Sequence, residues 1–145
     1  PVYGDRCEGL VTVQKSVLDD TMNEAKSKYS SIASIDIETA CKQFKVDIVF
    51  NNGTSAKTAE EVSKEVVKIL DSKGGQSAYE GSSYSELLNK HNGVKQYEVN
   101  FYLTGGNDTD YPIYGTKQAG KDDIGFTLSS VKDQETTNKA KATEQ

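Results

Sequence analysis

Tryptophan is absent from this chain, and arginine and histidine occur once each, at Arg6 and His91. These gaps exclude more than they first suggest. With one arginine, no cluster of lysines and a net charge of −5, there is no basic strip to neutralise phosphates, which argues against nucleic acid and anionic membranes as partners. No apolar run approaches the roughly 18 residues needed to span a bilayer. A lone histidine leaves a zinc site short of ligands. No Gly-x-Ser-x-Gly elbow presents a nucleophile. Neither Gly74-Gly75-Gln76 nor Gly105-Gly106-Asn107 belongs to a Gly-x-x-x-x-Gly-Lys phosphate loop. The acidic Asn107-Asp108-Thr109-Asp110 stretch lacks the twelfth-position Glu of an EF-hand, even with Asp122 and Asp123 in reserve. The sequence therefore predicts no metal, no cofactor and no catalytic residue.

Cysteine is scarce but paired: Cys7 and Cys41 are the only two. Far apart and outside any Cys-x-x-Cys motif, they suit a disulfide better than a redox or metal pair. Closing a loop of that length would stabilise the domain by roughly 3–4 kcal/mol in the chain-entropy picture. Two glycosylation sequons, at Asn52 and Asn107, fall in turn-forming sequence. The chain opens at Pro1 rather than Met, as after removal of a signal peptide, although a trimmed chain would look the same. These signals together predict a secreted or cell-surface protein.

Hydrophobic residues make up only 34% of the 145 residues, so their spacing matters. Leu18, Met22, Ala25, Tyr29 and Ile32 recur at helical steps, predicting a helix over 10–33, with Leu10, Val11 and Val13 as an alternative short strand ahead of it. Phe44, Val46, Ile48 and Phe50 alternate with polar residues, predicting a strand over 43–50, with Ile35 and Ile37 in a further short one. A second helix starts at a Thr58/Glu61 capping box, carries Ala59, Val62, Val66, Ile69 and Leu70 on one face, and ends at Lys73-Gly74-Gly75. A short helix follows from Ser83 through Tyr84, Leu87 and Leu88, stopping at Lys90-His91-Asn92-Gly93. Tyr97, Val99, Phe101 and Leu103 mark a strand over 95–103. Tyr111-Pro112-Ile113-Tyr114 reads as an edge strand because of its proline, and 123–129 as the last strand, with Ile124, Phe126 and Leu128 inward. Residues 131–145 are polar and aperiodic, a flexible tail to a single domain over 1–130.

Strands with one apolar face imply an antiparallel sheet of about four strands, covered on one side by the two main helices. The expected fold is thus an α+β two-layer sandwich, with Phe44, Val46, Tyr97 and Val99 sharing its interior.

Tyrosine is the abundant aromatic, with eight copies. Tyr79, Tyr84, Tyr102, Tyr111 and Tyr114 gather in or beside the loops after the second helix. Tyrosine supplies rigid, amphipathic contact area at modest entropic cost. The expected function is a non-enzymatic interaction protein, such as an effector, a virulence or toxin-like factor or a surface antigen, binding a protein partner through these tyrosines or the exposed sheet face. The alternatives are a small secreted hydrolase using His91 or loop carboxylates, and an envelope or assembly component pairing strands at a sheet edge.

Overall fold

The computed structural model describes residues 9–75, 84–107 and 109–128; Cys7, Tyr79, Ser83, Asp108, the 131–145 segment and the side chain of Leu128 lie outside these. Helix α1 (Lys15–Lys28) leads into β1 (Ile32–Ala40) and β2 (Gln43–Phe50). Helix α2 (Ala56–Lys73) follows, then a 3-10 turn at Glu86–Leu88 and the two-residue strands β3 (Lys90–His91) and β4 (Val94–Lys95). Strands β5 (Glu98–Gly105), β6 (Ile113–Lys117) and β7 (Ile124–Leu128) complete the order. The main sheet runs β1-β2-β5-β6-β7, and β3 and β4 make a separate hairpin.

An α+β fold with helices packed on a sheet is what the strand patterning requires. Phe44, Val46 and Ile48 of β2 and Val99 and Leu103 of β5 are wholly buried, facing the buried stripe of α2 at Ala59, Val62, Val66 and Leu70. The Phe44 and Tyr97 rings lie 4.7 Å apart. Helix α1 packs on β1 and α2 through Leu18, Thr21 and Ala25. Glu24 joins the two helices, meeting Lys73 of α2 at 2.9 Å and Lys28 of its own helix at 3.2 Å.

The sheet is mixed rather than antiparallel, and it has five strands rather than four. Strand β2 pairs in parallel with β5, because α2 carries the chain back across the sheet before β5 begins. Every other pair in the main sheet is antiparallel. Amphipathic strands signal one open face and say nothing of direction; here a parallel pair has that open face too.

Element boundaries moved for local reasons. The predicted helix over 10–33 is shorter at both ends. Residues before Lys15 are extended: Gln96, itself 2% exposed, accepts from Val11 N at 2.6 Å and donates to Gly9 O at 2.9 Å, while Tyr97 Oη donates to Val11 O. At the other end Ile32 belongs to β1, merging with Ile35 and Ile37 into one nine-residue strand. The α2 cap is Ser55, which accepts from Thr58 N at 3.2 Å, so the helix begins one turn before the Thr58/Glu61 box. Lys90-His91-Asn92-Gly93 does not end a helix. Asn92 and Gly93 have φ of 53° and 78° and turn the β3–β4 hairpin, the double positive-φ geometry that Asn-Gly favours. Strand β6 lies between β5 and β7 instead of at the edge, since Pro112 precedes its first pairing residue.

Candidate functional site

Alternation puts half of each strand on the face away from the helices. Ser34, Asp36 and Glu38 of β1 point there, with Lys45, Asp47 and Val49 of β2, Asn100, Tyr102 and Thr104 of β5, and Tyr114 and Thr116 of β6. Register aligns these into rows. One crosses the sheet as Asp36, Asp47, Tyr102, Tyr114 and Thr127; the next holds Glu38, Lys45, Asn100 and Thr116. Asn100 of the second row is held by its polar neighbours: its Nδ2 donates to Gln43 Oε1 and Glu98 Oε2 at 2.8 Å, and Thr116 Oγ1 donates to Asn100 Oδ1 at 2.9 Å.

The first row differs. The Tyr102 and Tyr114 rings lie 5.2 Å apart and are 41% and 48% exposed. Val49 stands diagonally beside Tyr102 and is 39% exposed. Among the described residues these are the exposed large hydrophobic side chains, and all three fall on the open face. Scattered singly they would need no explanation; gathered on a sheet face that no described element covers, they make an exposed apolar patch of the kind that marks contact sites.

The structure divides the predicted tyrosines. Tyr102 and Tyr114 come together on the open face. Tyr84 and Tyr111 lie on the covered side, half-buried. The Lys117 amine sits 4.0 Å from the centre of the Tyr84 ring. Tyr111 packs beside Phe50 and Gly106, donates from its hydroxyl to Ser55 O at 3.2 Å, and is pushed up to about 12 by burial and the nearby Asp110 and Glu60 charges. Tyr79 is outside the described residues.

His91, on the short β3, has Nδ1 2.8 Å from Glu86 Oε2, an ion pair when the ring is protonated. Its Nε2 faces Asn92 Nδ2 at 3.3 Å. The ring thus meets a carboxylate and an amide, with no hydroxyl or thiol at either nitrogen in these contacts. Asp110 is engaged at the start of α2: Oδ2 accepts from Ala56 N at 3.0 Å and from Asn107 Nδ2 at 2.7 Å. Asn107 Oδ1 in turn accepts from the backbone N–H groups of Thr109 and Asp110. Of the two sequons, Asn107 is therefore woven into the helix cap, whereas Asn52 is exposed at the β2–α2 turn. Among the described residues no three His, Cys, Asp or Glu side chains gather as a metal would require. Cys41 occupies the two-residue turn between β1 and β2.

Sequence reasoning missed a buried polar cluster on the covered side. Asp71 is inaccessible and accepts from Ser85 through both its backbone N–H, at 3.0 Å, and its hydroxyl, pinning the chain after residue 83 to the end of α2. Lys117, also inaccessible, donates to Gln118 O at 3.2 Å and Leu88 O at 3.5 Å. Burial lowers its amine from the ordinary value of 10.5 to about 8, against the opposing pull of Asp71 and Asp122. The available signal was alternation: in β6, Lys117 shares the parity of buried Ile113 and Gly115.

Comparison with known protein families, with curated proteins and with solved structures yields no match in any of the three. Function must be read from the site itself.

Proposed function

We propose that this is a secreted, non-enzymatic interaction protein, of effector, toxin-like or surface-antigen type, that binds a protein partner through the open face of its sheet. The observation that carries the reading is the convergence of Val49, Tyr102 and Tyr114 on the face that none of the described elements covers, while the helices bury the other. Tyrosine pairs of this kind anchor interfaces because they contribute large contact area with few rotors to immobilise. Tyr84 and Tyr111, packed against Lys117 and Ser55, support the covered side of the sheet instead. The net charge of −5 favours a protein partner over a nucleic acid. Among the described residues no helix is long and apolar enough to cross a membrane.

A photo-crosslinking residue placed at position 102 or 114, and separately at exposed Lys57 on α2, tests the reading in the natural extracellular milieu. A discrete adduct from the sheet positions alone is expected. Adducts equally from Lys57, or from neither, overturn it. The hydrolase alternative rests on His91, whose ring contacts Glu86 and Asn92; a His91→Ala variant that loses a hydrolytic activity would revive it.

A further inference from the structure

We infer that the partner offers a cationic side chain, a lysine or arginine of an extended protein segment, to the row Asp36, Asp47, Tyr102 and Tyr114. The inference rests on the open face being the binding surface.

Asp36 and Asp47 are directly paired across β1 and β2. Like charges at that position, roughly 5 Å apart, oppose strand pairing. The next position on the same face sets Glu38 opposite Lys45, and no ion pair joins that lysine to Asp36 or Asp47 among the described residues. Neither the Asp36 nor the Asp47 carboxylate has an ion pair or hydrogen bond among the described residues. Among the described residues nothing offsets the repulsion, and both side chains are exposed.

On its other side Asp47 is the register partner of Tyr102, and Tyr102 of Tyr114. Two carboxylates with no partner among the described residues thus run directly into two exposed rings. An ammonium or guanidinium group laid over such rings is attracted by their negative faces, and a carboxylate at the ring edge adds a charge-assisted hydrogen bond. Arginine satisfies both at once because its planar fork stacks and pairs together. The wider face agrees: Asp36, Glu38, Asp47 and Glu98 outnumber Lys45. That balance suits a basic segment. It disfavours a second copy of the same face, which would set carboxylates against carboxylates, and Val49 gives the segment an apolar contact beside the charged one.

A random peptide library displayed on phage, selected against the intact chain, provides the probe. The leading peptide is then synthesised and titrated into wild type, Asp36→Asn/Asp47→Asn and Tyr102→Ser/Tyr114→Ser, with Tyr114→Thr alone serving if the tyrosine pair variant fails to fold. Expected are peptides enriched in lysine or arginine, binding at least about tenfold weaker in both variants, and affinity falling as salt rises from about 0.05 to 0.3 M. The aspartate variant should keep or raise its thermal midpoint. Neutral or acidic peptides lost in the tyrosine variant but retained in the aspartate variant overturn the cationic inference and leave the open-face reading standing. Peptides indifferent to both variants, or no enrichment over bare support, overturn both. Self-association abolished by the tyrosine substitutions replaces the basic segment with a second copy.

Discussion

Lys117 carries a measurable signature of its burial. Below pH 8 its amine is protonated in the folded and unfolded chains alike, and the desolvation penalty is present in full. Between about 8 and the unfolded value of 10.5, the folded amine is neutral while the unfolded one still holds a proton, so stability rises with pH across that window. The displacement corresponds to about 3 kcal/mol at its full extent. Tyr111 acts oppositely: held up at about 12, it stabilises below its unfolded value and loses that contribution as pH climbs from about 10 to 12. Urea midpoints are expected to increase from pH 8 toward 10 and fall beyond, and Lys117→Met should abolish the rise. A flat wild-type profile would contradict the buried charge. The exposed pair Asp36 and Asp47 gives a second expectation. Asp47→Asn should stabilise by about 0.2–1 kcal/mol, more at low salt, seen as a higher denaturant midpoint. Gly106 marks a backbone constraint, with φ of 61° and the Tyr111 ring 2.1 Å from where a Cβ would stand.

At the scale of elements, the start of α2 depends on a residue far along the chain. Ser55 caps it locally, while Asp110, from the loop between β5 and β6, accepts from Ala56 N and places negative charge at the positive end of the helix dipole. Asp110→Ala should cost about 1–2 kcal/mol and Asp110→Asn less, since the amide keeps an acceptor and loses only the charge; thermal melts would separate the two. The β1 edge is guarded in a similar way. Met22 Sδ of α1 accepts from Ile37 N at 3.3 Å, occupying an edge donor otherwise open to another strand. Met22→Leu nearly preserves volume but removes the acceptor, and faster amide exchange at Ile37 with little change elsewhere is the expected result.

For the whole molecule, the open question is how the N-terminal segment is held. Gln96 and Tyr97 fasten Gly9 and Val11, and Cys41 sits in the turn next to the strand that Tyr97 packs upon. The proposed bridge to Cys7 would fix that segment a second time. Thiol titration of natively isolated protein should find no reactive sulfhydryl before reduction and two after reduction in denaturant, with reduction lowering stability by roughly 3 kcal/mol. Two reactive thiols at the outset would sink both the bridge and the secreted assignment built on it.

Periodicity by itself determined the helix α2, the strands β2 and β5, their buried faces, and the α+β class, because an amphipathic segment has one low-energy way to hide its apolar side. It also placed Tyr102 outward, since its neighbours Phe101 and Leu103 face in. What only the tertiary structure decided is which strands lie side by side. The crossover through α2 makes β2 and β5 parallel neighbours, and that adjacency alone brings Asp47 against Tyr102. The hairpin of β5 and β6 adds Tyr114, and that of β1 and β2 adds Asp36. Tyr84 and Tyr111, close to them in sequence composition, went to the other face for the same reason. Strand order is set by chain-distant packing, so a row assembled from four strands leaves no local pattern in the sequence.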